Sequence, residues 1–171
     1  MKRFIFAALA MALIFAAVFS GCSAVKPSES EDVGGNVQIP NPVVSVDGAS
    51  DFETLGIAID APKGAADAEY SIIGGELAQI TFTLDGVEYT YRAQKTDGDI
   101  SGLYVEFEDE AVQVDADFDN GSVSIGIKSV KDSDAKLAEW SVNGTRFSLY
   151  AGSASVEAMQ DTALELAGAQ L

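Results

Sequence analysis

Histidine is absent from the 171-residue sequence, and the single cysteine is Cys22. Serine and cysteine nucleophiles are usually activated by a neighbouring histidine. The common zinc sites are likewise built from cysteine and histidine. No glycine-rich phosphate-binding loop occurs in the sequence either. These absences favour a protein that is not an enzyme and that binds no cofactor.

Alternating aspartates are the nearest approach to a metal site. Asp115, Asp117 and Asp119 precede Asn120-Gly121, in the way that carboxylates precede a glycine in calcium-binding loops. The glycine comes one residue late, and Gly126 stands where such a loop needs a bidentate glutamate. Alternatively, the aspartates form the solvated face of a strand. We therefore expect a weak calcium site at most, and no tightly bound metal.

A second group of candidate residues surrounds Asp99-Ile100-Ser101-Gly102, which separates two predicted strands without the pattern of a tight hairpin. In a structural interpretation, Asp99 accepts hydrogen bonds from amides of the turn or from Arg92 across the sheet. In a functional interpretation, this stretch belongs to a binding site. The residues of that site would be Arg92, Asp99, Tyr89, Tyr91 and Tyr104. The residues themselves favour the structural interpretation.

Strands are expected to position these residues, because apolar side chains recur at every second position from Tyr70 onward. Three hairpins are predicted, with turns at Asp85-Gly86, Asn120-Gly121 and Asn143-Gly144. Each strand has one apolar and one polar face, which predicts an antiparallel sheet covered on one side only. A short strand is also expected at residues 43–46. The predicted core includes Trp140, Phe147, Phe82 and Tyr89.

Two helices are expected to cover the apolar face of this sheet. Near the C-terminus, Ser153 or Ser155 can cap a helix with an apolar stripe. That stripe consists of Val156, Met159, Ala163, Leu166 and Ala167. Ser50 and Glu53 have the spacing of a capping box and predict a short N-terminal helix. The expected fold is α+β: a curved antiparallel sheet of about six to eight strands, packed on a C-terminal α-helix and a short N-terminal helix.

The N-terminal segment predicts export and lipid attachment. Lys2 and Arg3 precede sixteen uncharged residues, Phe4 to Phe19, which are too few for a comfortable membrane span but suit a secretory signal. Ser20 and Gly21 stand before Cys22, as small residues do in the cleavage motif of bacterial lipoproteins. The predicted organisation is a signal peptide at 1–21, a lipidated Cys22 with a flexible tether at 22–42, and one domain at 43–171. Acyl chains on Cys22 would anchor the domain to the membrane, facing away from the cytoplasm.

The exported part is strongly acidic. The sequence has a net charge of −17, and removal of Lys2 and Arg3 leaves eight basic against 27 acidic residues, a net charge of −19. Nucleic acids and anionic lipid surfaces need a basic protein face, so this charge argues strongly against both as partners. The charge is compatible with a basic protein of the cell envelope, with divalent cations, or simply with solubility at an envelope surface. A solvated acidic surface is the favoured interpretation. The acidic residues expected to contact a basic partner are Glu106, Glu108, Asp109 and Glu110.

Several stretches resemble a family of uncharacterised exported bacterial proteins that are frequent in clostridia and their relatives. The most specific of these stretches are Asn41-Pro42, residues 89–92 and residues 99–102, and the likeness extends over roughly residues 41–167. Members of that family are small lipoproteins or outer domains that follow a membrane helix. The resemblance implies an exported α+β domain and supplies no catalytic residues.

The sequence therefore predicts a non-enzymatic lipoprotein of the cell surface whose acidic domain serves interaction or sensing. An alternative is that the curved sheet leaves a concave apolar groove, and that the protein carries or senses a small apolar ligand such as a lipid. The apolar residues are about enough to fill one two-layer core, which favours the first function.

Overall fold

The computed structural model describes residues 42–171. The predicted signal peptide, Cys22 and all of the predicted tether except Pro42 lie outside the described residues. A short 3-10 helix follows the first strand, and one α-helix ends the domain. The elements are β1 (Val43–Val46), the 3-10 helix (Ala49–Leu55), β2 (Ala66–Ile73), β3 (Leu77–Leu84), β4 (Val87–Gln94), β5 (Val112–Phe118), β6 (Gly121–Ser129), β7 (Lys136–Val142), β8 (Thr145–Ala151) and α1 (Val156–Gly168).

All eight strands belong to one open antiparallel sheet in the order β1-β2-β3-β4-β8-β7-β6-β5. Strands β1–β4 form one meander and β5–β8 a second, and the two are joined where β4 pairs with β8. The predicted α+β fold is confirmed, with the sheet packed on a C-terminal helix and a short N-terminal helix. Because β5 follows β4 in sequence but lies at the sheet edge, residues 95–111 must cross from the middle of the sheet to that edge. We call residues 95–111 the crossing segment.

Two of the three predicted turns are where the sequence placed them. Asp85-Gly86 and Asn143-Gly144 have positive φ at both residues (51° and 81°, 51° and 76°), as the favoured two-residue hairpin turn requires. The third turn differs, because Phe118 pairs with Gly121 and the turn is formed by residues 119–120. The predicted register, with Asn120-Gly121 in the turn, and the observed register both keep the apolar residues of β5 and β6 on one face. The alternation of apolar residues therefore could not distinguish the two registers. In the observed register Phe118 packs closely on Gly168, where a Cβ would come within 2.7 Å of the phenylalanine ring.

The apolar core lies between one face of the sheet and the helices. Helix α1 packs on β5–β8, while Phe52 of the 3-10 helix is buried over the first meander, beside Tyr70. Three aromatic rings stack across β4, β8 and β7: Trp140 on Phe147 with centroids 5.5 Å apart, and Tyr91 on Trp140 at 5.9 Å. Burial of the four predicted core residues is confirmed, since each is at most 3% exposed. These residues are Trp140, Phe147, Phe82 and Tyr89.

The predicted N-cap is correct for α1 and wrong for the 3-10 helix. Ser155, one of the two predicted caps, accepts a hydrogen bond from the Ala158 amide at the start of α1 (3.1 Å). The 3-10 helix does not use the predicted Ser50–Glu53 capping box. Instead, the Asp51 carboxylate accepts hydrogen bonds from the amides of residues 47 and 48, because the N-cap is Gly48, two residues earlier than predicted.

The second face of the sheet is also covered in part. Ile100 and Ser101 of the crossing segment are buried, and so are Leu137 and Ser148, whose positions alternate with the core positions of their strands. The prediction that the sheet is covered on one side only is therefore wrong. The crossing segment is long enough to lie over the polar face, and Ile100 gives it an apolar side chain to bury there.

Candidate functional site

The five residues predicted to form one site are divided between the two faces of the sheet. Tyr89 and Tyr91 point into the core, where they are 2% and 0% exposed. Arg92 follows Tyr91 directly and points to the opposite face, because successive residues of a strand alternate. Asp99 lies in the crossing segment over that second face, and Tyr104 is fully exposed. Arg92 and Asp99 therefore share a surface from which Tyr89 and Tyr91 are separated by the sheet.

Arg92 ties the crossing segment to the sheet. Its Nε donates a hydrogen bond to Oε1 of Gln79, the residue paired with it on β3 (2.8 Å). Its Nη1 donates to the carbonyl oxygens of Ile100 and Ser101. Partial burial lowers the pKa of Arg92, yet the guanidinium group is always charged in proteins. One side chain thus connects β3, β4 and the crossing segment.

The turn at residues 99–102 is fitted to this arginine. Oδ1 of Asp99 accepts a hydrogen bond from the Ser101 amide (2.8 Å), and the Ser101 hydroxyl accepts one from the Leu103 amide (3.3 Å). The bond from the Ser101 amide is the main reason that the pKa of Asp99 lies below its ordinary value, and the charges of Arg146 and Lys128 lower it further. Gly102 has a φ of +64°, and a Cβ there would lie 2.5 Å from Nη1 of Arg92. Glycine suits this position because it adopts a positive φ readily and has no Cβ to collide with the guanidinium group.

Three charged residues continue this polar face across β6, β7 and β8. The carboxylate of Glu139 is only 10% exposed and binds Lys128 at 2.6 Å and Arg146 at 3.0 Å. The Lys128 ammonium also lies 5.6 Å from the ring centre of Phe107 in the crossing segment, a cation–π distance. The backbone of residues 106–108 is hydrogen-bonded to residues 129 and 131. The crossing segment is therefore held at two places, residues 100–101 and residues 106–108.

The charged groups at the centre of the polar face have structural partners. Arg92 faces neutral carbonyls, Asp99 accepts from its own turn, and Glu139 neutralises two cations. Acid–base catalysis needs a titratable group within reach of a substrate proton, whereas these groups are engaged with one another. The hydrogen bond from the Ser101 amide to Asp99 agrees with the structural interpretation, in which Asp99 accepts hydrogen bonds from amides of the turn. The arrangement fastens the crossing segment to the sheet.

The most unusual surface lies beyond this network, at residues 104–119, which we call the acidic segment. It contains seven carboxylates and no lysine or arginine, and all seven carboxylate residues are exposed. Asp115 and Asp117 lie on the exposed face of β5, and Asp119 lies in the turn that follows. Within residues 42–171, no three His, Cys, Asp or Glu side chains converge as a metal site would require. The calcium interpretation of the three aspartates has no geometric support there.

Exposed apolar side chains accompany these carboxylates. Tyr104, Val105 and Val112 are 101%, 45% and 44% exposed, and they are three of the five large apolar residues exposed in the described chain. Such residues on an otherwise polar surface often mark an interaction site. The exposure of Tyr104 and Val105 could not be predicted, because residues 103–111 have no periodicity from which exposure can be inferred. Val112 begins β5 on its apolar face, but it lies at the end of an edge strand and stays exposed.

The Lys128–Glu139–Arg146 network was also missed by sequence reasoning, although part of its signal was present. Asn143-Gly144 fixes the register of the β7–β8 hairpin. In that register Glu139 and Arg146 are diagonal neighbours on one face, within reach of each other. Lys128 could not be inferred in this way, because the pairing of β6 with β7 depends on a longer connection.

Several open grooves occur on the described surface, with volumes of about 350 to 460 Å³. One of about 420 Å³ lies between the β3–β4 turn and α1, with Leu84, Val87 and Tyr89 on its floor and Asp161 and Glu165 on its wall. The concave apolar face of the sheet is filled by the packed aromatic rings and by α1. In residues 42–171, no helix combines the length and the apolarity that crossing a membrane requires.

Comparison with protein-family models, with curated proteins and with solved structures finds no match for this chain.

Proposed function

We propose that the protein is a non-enzymatic lipoprotein of the cell surface, of the kind it resembles in sequence, anchored through acyl chains on Cys22. In this proposal its folded domain binds a basic protein of the cell envelope. The membrane contact is made by the lipid, and the protein contact is made by the acidic segment. No cofactor or metal is needed for either.

The acidic segment is the observation that carries the proposal. Seven exposed carboxylates lie within 16 consecutive residues that include no lysine or arginine. They produce a negative surface, which attracts basic partners and speeds their association. Exposed Tyr104, Val105 and Val112 supply the apolar contacts that charge alone does not give. Glu106 is paired with Lys131 at 3.4 Å, but both side chains are more than half exposed, so a partner can compete for that carboxylate.

The alternative of an apolar ligand in the sheet receives less support. Residues that would line such a cavity are themselves packed together, with Tyr91, Phe82 and Leu149 at most 1% exposed. Buried protein interiors are close-packed, with few voids larger than a water molecule. The grooves on the described surface have charged walls, as in the one bordered by Asp161 and Glu165. An acidic rim suits a basic partner better than a lipid chain.

Membrane attachment is tested first. Inhibition of lipoprotein signal cleavage by a globomycin-type compound, or the substitution Cys22→Ser, is expected to leave an unprocessed precursor. Mass spectrometry of the mature protein should find its N-terminus at residue 22, with acyl chains on the cysteine. A mature protein that starts elsewhere and is freely secreted would refute this part of the proposal.

Partner binding is tested by capture from the protein's own envelope. The wild-type chain should retain a basic protein at low salt and release it as salt screens the charges. The fourfold variant Glu106→Gln, Glu108→Gln, Asp109→Asn and Glu110→Gln should lose that capture. A matched control neutralises four exposed glutamates elsewhere, at positions 53, 69, 88 and 157, and should retain it. A lipid that copurifies inside the folded domain in native mass spectrometry would instead favour the carrier function.

A further inference from the structure

The two edges of the sheet differ in length and in position relative to the tether. β1 has four residues and begins directly after the predicted tether, whereas β5 has seven residues and lies at the opposite edge. Strands are spaced by about 4.8 Å, so the two edges are roughly 33 Å apart. Within residues 42–171, β5 pairs along its length with β6 alone. One side of its backbone is therefore left without a strand partner among the described residues.

The two faces of β5 present different side chains to whatever lies beside it. Val114, Ala116 and Phe118 are half-buried on the face that α1 covers. Asp115 and Asp117 are exposed on the opposite face. A strand added beside β5 would place its own side chains alternately on these two faces. Its apolar residues would extend the core, and its residues on the other face would lie next to the two aspartates.

Charge decides which kind of strand fits. An unpaired edge is a template for another strand, and like charges directly opposite each other destabilise strand pairing while opposite charges stabilise it. A second copy of this chain paired through β5 would bring Asp115 and Asp117 close to the same residues of its neighbour. A strand that alternates basic and apolar residues would instead meet the aspartates with opposite charge and cover Val114 and Phe118.

We infer that the free edge of β5 binds an extended segment of a basic partner as a ninth strand of the sheet. The segment alternates lysine or arginine with apolar residues, so that its basic side chains lie beside Asp115 and Asp117. Main-chain hydrogen bonds supply affinity and the alternating side chains supply specificity. This inference rests on the proposed function, because it names the kind of contact that the acidic segment makes.

A designed peptide tests the inference with the full chain purified in mild detergent. The probe is a fluorescent nine-residue peptide of alternating lysine and valine, and its binding is followed by anisotropy. A peptide of the same composition, with its lysines and valines in blocks, should bind about tenfold or more weakly, because it cannot place both residue types on their proper faces. Equal affinity of the two peptides would show that only net charge is recognised and would overturn the inference.

N-methylation identifies strand pairing directly. Two further peptides carry N-methyl groups on all valines or on all lysines, which blocks the amides of one edge or of the other. In a strand that pairs through one edge, one of these peptides should lose binding and the other should retain it. If both retained binding, the peptide would not be paired with β5. Binding of the unmodified peptide should also slow hydrogen exchange of the β5 amides that point away from β6.

Charge-reversal variants locate the edge. The double variant Asp115→Lys/Asp117→Lys should weaken binding of the alternating peptide about tenfold or more. The control Glu53→Lys/Glu88→Lys makes the same change in net charge at two other exposed positions and should weaken it much less. Equal losses in the two variants would overturn the inference. The inference would also be overturned if the β5 amides that point away from β6 were already protected in the full chain alone, because a segment of the chain itself or a second copy would then occupy the edge.

Failure of this inference is distinguishable from failure of the proposed function. If the envelope capture described above succeeds while the peptide tests fail, the acidic segment binds its partner without strand addition. If neither succeeds and a lipid copurifies with the domain, the proposed function is wrong as well.

Discussion

The two faces of the sheet are stabilised in different ways. On the core face, stacked rings such as Trp140 and Phe147 are buried against helix α1, so stability comes from removing apolar surface from water. On the opposite face, Arg92 and Glu139 hold the crossing segment and the strands together by hydrogen bonds and ion pairs. Burial of apolar surface depends little on pH or salt, whereas a network of charges depends on both. Substitutions on the core face should therefore destabilise the whole domain, whereas substitutions on the opposite face should mainly loosen the crossing segment.

Trp140→Ala should have the largest effect. The indole is 3% exposed and stacks on both Tyr91 and Phe147, so its removal leaves a cavity that neighbouring rings cannot fill. We expect a loss of about 3–5 kcal/mol in the free energy of unfolding, measured by urea denaturation. Tyr91→Phe serves as the control in the same stack. The Tyr91 hydroxyl is buried without a hydrogen-bond partner among the described residues, so its removal should be neutral or slightly stabilising.

Glu139→Gln should have the next largest effect. The substitution keeps the shape of the side chain but leaves Lys128 and Arg146 without the carboxylate that neutralises both. We expect a loss of about 1–3 kcal/mol in the free energy of unfolding, measured by urea denaturation. Glu106→Gln breaks the exposed pair with Lys131 and should change it by less than about 1 kcal/mol. Similar losses in the two variants would mean that burial of Glu139 contributes nothing to its interaction.

Arg92→Met should loosen the crossing segment more than the domain as a whole. It removes the bonds to Gln79, Ile100 and Ser101 while keeping an unbranched apolar stem. We expect a loss of about 1–2 kcal/mol in stability and faster hydrogen exchange at residues 100–103. Uniformly faster exchange over the whole domain would contradict a local role. Gly102→Ala should also be less damaging in the Arg92→Met background, because the guanidinium that a Cβ would strike is then absent.

Asp99→Asn should have the smallest effect, and that effect should depend on pH. The folded state lowers the pKa of Asp99, so the carboxylate contributes stability above its unfolded pKa of about 3.9. This contribution is lost as the pH falls through the lower folded pKa. Because Asp99 is exposed, we expect wild type and variant to differ by less than about 1 kcal/mol at neutral pH. The difference should disappear in denaturation at acid pH, and a constant difference would show that the charge is not responsible.

The sequence by itself determined the parts of the fold that depend on local patterns. Period-two alternation identified the strands and the side chains that face the core, such as Phe82 and Trp140. Asp85-Gly86 and Asn143-Gly144 fixed two hairpins, because few residues adopt positive φ at both turn positions. The same alternation already placed Arg92 on the face opposite Tyr91. The predicted five-residue binding site nevertheless combined residues from both faces of the sheet.

Only the tertiary structure decided how the two meanders join and what the connection between them does. Pairing of β4 with β8 brings together residues more than 50 positions apart, and no local pattern specifies such a contact. That pairing sends the crossing segment over the polar face, where Arg92 and Lys128 hold it. It also leaves β5 at an edge with its carboxylates exposed. Alternation tells which way a side chain points from its own strand, but strand order is set by the total burial and hydrogen bonding of the whole chain.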